Sequence, residues 1–436
     1  MTSLAVIFLF FNVVALLALP ARWAPLPLLA GACYVTLGQS VDIGPFHFSV
    51  IRVLIFTGIL RVLFRHERPV GGLIGVDKLM LLWGGWMLCV SVFHAAPVDA
   101  LIFRMGIAYN ALGTYFLIRI FCRDTQDVMH LVKITALFLA PIAIEMMYEQ
   151  FTGKNLFSIF GKVDSAVIVR SGRFRAQGPF LHPILAGTIA AACIPLMIGI
   201  WNTHRFAAKV GVIACLMMVF ASASSGPLVG VFFGLLALAA WRWRHRTSHM
   251  RIFAVIVYCL LALVMSKPPY FILARLDLTG SSTGWYRAEL IRSTIAHFNE
   301  WWFSGTDYTR HWMATGVTNN PDHTDITSQY ILNGVHGGVF LMLIFVFILW
   351  GAFSYVGKLS KRQENVDESQ ARFAWALGAS LFAHAASCIS VAYFDQSFLF
   401  LYMTLAAISS LYASTVLSGS GARESEISEP LLHGVG

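Results

Sequence analysis

Apolar residues run in long blocks along most of this chain, and polar residues gather between them. The blocks fall at 3–19, 24–40, 46–64, 78–95, 99–121, 128–150, 183–201, 206–221, 226–241, 252–267, 327–356, 371–391 and 395–416. Most approach the roughly 20 residues that a helix needs to cross a bilayer. The pattern predicts an all-α, polytopic transmembrane bundle of about 12–13 spans, with a long, partly helical outer loop. Pro20, Pro25 and Pro27 leave the first 40 residues open between two spans and one broken helix.

The expected organisation is N-terminal transmembrane helices over 1–151, a first loop over 152–182, central helices over 183–267, a large loop over 268–326, C-terminal helices over 327–416 and a disordered cytoplasmic tail over 417–436. Composition agrees: 57% of the 436 residues are hydrophobic and 12% charged, about half the charged share of a soluble domain. The first block lacks a basic start and does not read as a cleavable leader. The seven cysteines lie in or beside apolar blocks, so no disulfide framework and no cysteine zinc site is expected.

The net charge of +9 does not imply nucleic acid, because of where the charges lie. Arg22, Arg61, Arg65, Arg68, Lys78, Arg119, Arg123, Arg205, Lys209, Arg242, Arg244, Arg246, Arg251, Lys358, Lys361, Arg362, Arg372 and Arg423 share one set of connections, which the positive-inside rule puts in the cytoplasm. The two long loops then face outward. They carry Lys154, Lys162, Arg170, Arg173, Arg175, Lys267, Arg275, Arg287, Arg292 and Arg310. A cationic outer face suits an anionic ligand such as a lipid phosphate or pyrophosphate.

Three polar motifs precede helices that run inward from that face. In Arg175-x-x-Gly178-x-Phe180-x-His182-Pro183, the proline fits a first helical turn and Gly178 permits close backbone approach. Arg175 and Arg173 either grip a phosphate at the helix end or touch lipid headgroups. In Ser224-Ser225-Gly226-Pro227 a helix cap is followed by an early-turn proline. In the large loop, Arg287 and Arg292 are placed near one face of a possible helix, and His323 lies between Asp322 and Asp325. Asp325, Thr327 and Ser328 are candidate caps. A histidine beside carboxylates is either a general base or a solvated loop residue. His311, Asp322, His323 and Asp325 form a weak metal-ligand set without standard spacing. Within the spans, Arg52 or Arg104 is expected either to pair with Glu145 or Glu149 or to wall a substrate cavity with them.

With these residues in view, "RAQGPFLHPILAG", "STGWYRAELI" and "HTDITSQYILNGVHGGVFLMLIFVF" resemble the signatures of the O-antigen ligase and polysaccharide polymerase superfamily, over roughly residues 170–350. The resemblance implies an inverting glycosyltransferase of GT-C type, with no cofactor and no metal. Its donor would be a glycan on undecaprenyl pyrophosphate, and its acceptor a glycan, a lipid A-core or a protein. It would lie in the bacterial inner membrane, among membrane lipids, with its site facing the periplasm. His323 would be the catalytic residue. Arg175, Arg287 and Arg173 would bind pyrophosphate, with Gly178, His182, Asp325 and Arg292 in support. Two departures lean towards a capsule or exopolysaccharide polymerase over a lipid A-core ligase. Ser224-Ser225-Gly226 stands where many members have Ser-Arg-Gly, and His323-Thr324 where many have His-Asn. A secondary transporter or flippase for a lipid-linked or anionic substrate is the alternative, and a non-catalytic assembly subunit a third.

Overall fold

Every predicted apolar block forms helix in the computed structural model, which describes residues 1–44, 46–170, 172–275, 284–313, 321–364 and 367–417. The helices are α1 (Ser3–Ala18), α2 (Pro25–Tyr34), α3 (Val50–Arg65), α4 (Gly75–Cys89), α5 (Pro97–Phe121), α6 (Thr125–Thr152), α7 (Pro183–Gly199), α8 (Arg205–Ala221), α9 (Ser225–Ala239), α10 (Thr247–Val264), α11 (Gly284–Ala296), α12 (Phe298–Trp301), α13 (Gln329–Gln363), α14 (Glu368–Ser387) and α15 (Phe398–Tyr412). The tail from 418 onward and motif positions 171, 282–283 and 319–320 lie outside the described residues. Among the described residues, six helical stretches are long and apolar enough to cross a membrane: Gly75–Phe93, Pro97–Phe121, Thr125–Thr152, Ser225–Arg246, Gln329–Gln363 and Phe398–Thr415. The chain is a multi-pass membrane protein. Its exterior fits, since Phe10, Phe64, Phe206, Phe232, Leu263 and Val264 all stand exposed on helix surfaces.

The block at 24–40 is not a full span. Helix α2 has ten residues, about 15 Å at the usual rise. Beyond it, Thr36 Oγ1 donates to the Gly161 carbonyl (2.8 Å) and Gln39 Nε2 to the Phe160 carbonyl (2.6 Å). The chain then makes a hairpin of β1 (Ser40–Ile43) and β2 (Phe46–Ser49) before α3 begins. Side-chain bonds to the first long loop stop α2 early, and hydropathy does not register such bonds.

Helix α13 runs through a break. Gly338 has φ +74°, and a Cβ there would lie 2.0 Å from the Phe303 carbonyl oxygen, so only glycine fits. The carbonyls freed around the break are satisfied by protein, as hydrocarbon surroundings demand. Thr306 N donates to Val335 O (3.0 Å), Arg104 Nε to His336 O (2.9 Å) and Trp86 Nε1 to Gly337 O (2.8 Å).

Two of the arginines that mark the cytoplasmic side are buried in the bundle. Arg61 meets Glu67 (2.9 Å) and donates to the Leu16 and Leu19 carbonyls. Arg119 Nε lies 3.6 Å from Asp77 Oδ1, both side chains being fully buried. Asp77 also accepts from Tyr115 Oη (2.5 Å) and from Ile74 N (2.9 Å). This ties α4 to α5 through charge and hydrogen bonds together. Asp77→Ala strands the Arg119 charge and should cost about 3 kcal/mol or more, measured as a lowered thermal midpoint in detergent.

Candidate functional site

The first motif is held from three sides. Glu149, near the end of α6 and 0% exposed, accepts from Gln177 N (3.0 Å) and Gly178 N (2.8 Å). Asn155 donates to the Gly178 carbonyl (2.9 Å), Ala176 N to the Ala221 carbonyl (2.9 Å), and Gln396 Nε2 to the Pro179 carbonyl (2.6 Å). Leu181 N reaches Asp395 Oδ2 (2.8 Å). Gly178 has φ +58°, and a Cβ there would meet Met146 Cγ at 3.2 Å. The close approach read from the sequence is therefore an approach to α6. Phe180 is fully buried, which plugs the loop into the bundle.

This clamp settles the two membrane carboxylates. They pair with neither Arg52 nor Arg104: Glu145 accepts at Oε1 from Leu156 N (2.9 Å), and Glu149 accepts from the motif amides and the Asn155 side chain. Arg52 donates to the His47 carbonyl and to Asn110, and Arg104 to His336 O and the His94 ring.

Ahead of the clamp, β3 (Ile168–Arg170) pairs with β4 (Arg173–Arg175) in an antiparallel hairpin, with Arg170 opposite Arg173 and Ile168 opposite Arg175. Side chains alternate along a strand, so Arg170, Arg173 and Arg175 share one face. Along it exposure falls from the exposed Arg173 through the half-buried Arg170 to Arg175, 6% exposed. Arg175 Nη2 donates to Ser224 Oγ (2.6 Å). Ser224 is the N-cap of α9, yet its side chain bonds no amide of that helix; it donates to the Ser222 carbonyl instead (2.8 Å). Ser224 thus leaves the positive end of α9 without a side-chain cap of its own.

Arg287, on α11, reaches the same spot. A Cβ on Gly226 would stand 3.8 Å from Arg287 Nη2. Nε of Arg175 and Nε of Arg287 are both buried without a hydrogen-bond partner. Among the described residues, neither guanidinium has a carboxylate within ion-pair distance. Burial, then the charges of Arg170 and Arg287, bring Arg175 down to about 10. Burial, then Arg170, lowers Arg287, with Asp325 opposing. Clustered guanidiniums at a helix N-terminus repel one another and the helix dipole until an anion joins them.

The residue before Arg287 connects this cluster to the histidine loop. Tyr286 Oη bonds Thr324 Oγ1 (3.0 Å) and donates to the Asp325 carbonyl (2.9 Å). His323 Nδ1 lies 3.3 Å from Thr309 Oγ1. Thr309 N and Arg310 N both donate to the Asp322 carbonyl. His323 is half-buried. Burial lowers its pKa, and the charges of Asp322 and Asp307 counter in part, so the imidazole is neutral and able to accept a proton near pH 7.

The other expected residues are placed as follows. His182 caps α7, accepting from Ile184 N at Nδ1 (3.1 Å). Burial, then Arg175 and Arg170, hold it down at about 4, which keeps that nitrogen an acceptor. Arg292 is exposed and ion-paired with Glu289. It does not share the Arg287 face, because five residues turn a helix by about 140° beyond a full turn. Asp325 is exposed, and its charge reaches Arg287. The caps proposed for α13 do not act as such: Ser328 is the N-cap but donates to the Cys388 carbonyl (3.2 Å). His311, Asp322, His323 and Asp325 are not gathered into a ligand set; His311 groups with His297 and Glu300. Sequence reasoning missed Glu149 as a loop clamp and Asp395 and Gln396 as its counterparts, and it read Arg170 as an outer-face cation without its register opposite Arg173. The Arg-Phe-Arg alternation of a strand was the available signal for Arg170.

No protein-family model matches the chain, and no curated protein does either.

Glu149→Ala removes a charged acceptor from two amides, worth about 1.5–3 kcal/mol per bond of this kind. Amides of residues 176–178 should exchange with deuterium at least tenfold faster in that variant, while those of α13 keep their wild-type rates.

Proposed function

We propose that this protein transfers or polymerises a glycan from undecaprenyl pyrophosphate onto an acceptor hydroxyl at the periplasmic face of the bacterial inner membrane, by an inverting, metal-independent reaction of the O-antigen ligase and polymerase type. The observation that carries this reading is the meeting of all three motifs at the start of α9. Arg175 bonds Ser224, Arg287 lies beside Gly226, and Tyr286, next to Arg287, holds the loop of His323.

The chemistry follows from those positions. The pyrophosphate oxygens take a place beside the two guanidinium groups, which have no carboxylate within ion-pair distance among the described residues, and the uncapped start of α9. Neutral His323 accepts the proton of the acceptor hydroxyl. The hydroxyl oxygen bonds to the anomeric carbon on the face opposite the leaving group, and the bond to pyrophosphate breaks with its electron pair going to the phosphate oxygen. Arg175, Arg287 and Arg170 stabilise the charge that develops there. Configuration at the anomeric carbon inverts, because attack and departure occupy opposite faces.

The broken α13 favours a second reading, since discontinuous helices line the binding sites of many transporters. Its freed carbonyls, however, are occupied by Trp86, Arg104 and Thr306. The intramembrane arginines are likewise spent on protein partners. The unpaired charge lies in the loops, which favours the transferase.

Reconstitution in liposomes with a lipid-linked oligosaccharide, and separately with lipid A-core, a second lipid-linked unit or a protein as acceptor, tests the reading. Arg175→Ala, Arg287→Ala and His323→Ala should each lower glycan transfer at least about 100-fold with normal protein accumulation. Unchanged product in all three would sink it. Movement of labelled substrate across the bilayer without bond formation would establish the transporter.

The acid limb of kcat/KM should fall below pH 6.5, about the ordinary imidazole value, because burial lowers His323. The Asp322 charge favours the imidazolium, so Asp322→Asn should move that limb to still lower pH. A pH–rate profile of the two proteins measures both effects.

A further inference from the structure

A second cluster of chemistry-bearing side chains lies apart from the arginines. His297 follows the last residue of α11, Glu300 lies on α12, and His311 sits in the short 3-10 turn Arg310–Trp312. Glu300 Oε1 receives both His297 Nδ1 (2.7 Å) and His311 Nε2 (3.0 Å). One ligand atom from each residue lies within 4.8 Å of the other two. Both rings are held in place. Trp312 stacks on His297 (5.8 Å between centroids, 10° between planes) and Tyr308 stacks on His311 (5.1 Å, 10°). Trp312 Nε1 donates to Glu300 Oε2 (2.9 Å), the kind of outer hydrogen bond that orients a ligating carboxylate.

We propose that His297 Nδ1, His311 Nε2 and the Glu300 carboxylate bind one divalent ion of the zinc class. Two imidazoles and one carboxylate are borderline ligands that select zinc, cobalt or nickel over magnesium or calcium. In the hydrogen-bonded state each histidine nitrogen must carry a proton towards the same carboxylate, His311 Nε2 lying between its two oxygens (3.0 and 2.9 Å). A dication replaces those protons and needs the nitrogen–oxygen distances, 2.7 and 3.0 Å here, to widen by a few tenths of an ångström, since bonds near 2.0–2.1 Å set ligands of a tetrahedron about 3.3 Å apart. The cluster opens to solvent, so water completes the coordination.

The ion would fasten the α11–α12 corner to the 310–312 turn. That turn adjoins Thr309, whose Oγ1 touches His323 Nδ1 and whose N–H holds the Asp322 carbonyl. The ion touches no reacting group. It stiffens the platform under His323, a structural role independent of the transferase reading.

Full-length protein without a polyhistidine tag, stripped with chelator in detergent and desalted, is titrated with Co2+. One equivalent should produce a visible d–d band that Zn2+ abolishes, and Zn2+ should slow hydrogen exchange of the amides at 306–312. His297→Ala, His311→Ala and Glu300→Gln should each weaken Co2+ binding at least tenfold, while His323→Ala binds as wild type. Absence of any cobalt band in the wild type overturns the assignment. So does wild-type affinity in the double variant His297→Ala/His311→Ala, or loss of binding in His323→Ala, which would move the ion to the other histidine. Glycan transfer does not enter these readouts, so this site and the transferase reading fail separately.

Discussion

One buried carboxylate governs where the cationic loop can go. Glu149 sits inside the bundle with no cation at ion-pair distance among the described residues, and its hydrogen bonds come from the Gln177 and Gly178 amides and from Asn155. A carboxylate in that setting is tolerable only while those donors stay in place. The penalty for withdrawing them fixes the chain at 177–178, two residues beyond Arg175. Everything at the site inherits this constraint: the hairpin face that carries the arginines, the contact with Ser224 and the capping of α7 by His182.

The same logic explains why positive charge accumulates without a partner. Arg61 and Arg119, buried elsewhere in the bundle, each have an acid at hand, Glu67 and Asp77. Arg175 has only a hydroxyl, and Arg287 faces the first turn of α9. One protein thus treats its sequestered arginines in three ways, since Arg104, also buried, has the His336 carbonyl and the His94 ring in place of an acid. Paired ones knit helices together, whereas the unpaired two converge on a helix end that already favours anions.

Much of this was legible in the sequence, and the reasons for the rest are specific. Apolar block lengths predicted the helices because hydrophobic length is what a bilayer selects. They overran at α2, where Thr36 and Gln39 leave the helix to bond a loop more than 120 residues away. The early prolines and Ser224 marked helix starts correctly, since capping is local. Their side-chain roles were not legible, because Ser224 and Ser328 spend their hydroxyls on distant partners. Arg287 was readable as an outer-loop cation, but not its separation from Arg292, which needs the helix phase. Glu149 was read against arginines because charge invites charge. Its real partners are amides, which every residue but proline carries and which leave no mark in a sequence.

The proposed site divides into an anion half and a proton half, and the division is built into α11. Arg287 turns towards the α9 end while its neighbour Tyr286 takes hold of Thr324 and Asp325. Adjacent residues on a helix point about 100° apart, so one short helix can serve two walls at once. Moving α11 would shift the phosphate grip and the base together, which preserves their spacing. A base and an anion grip carried on independent loops would have to find register in every catalytic cycle. Here register is maintained by consecutive residues, and the loop of His323 needs only to stay fastened to Tyr286. The resting state of His323 fits that design. Its surroundings lower the imidazole pKa, which favours the neutral form that the proposed reaction asks of a base, while the charge of the leaving group would be met on the other wall.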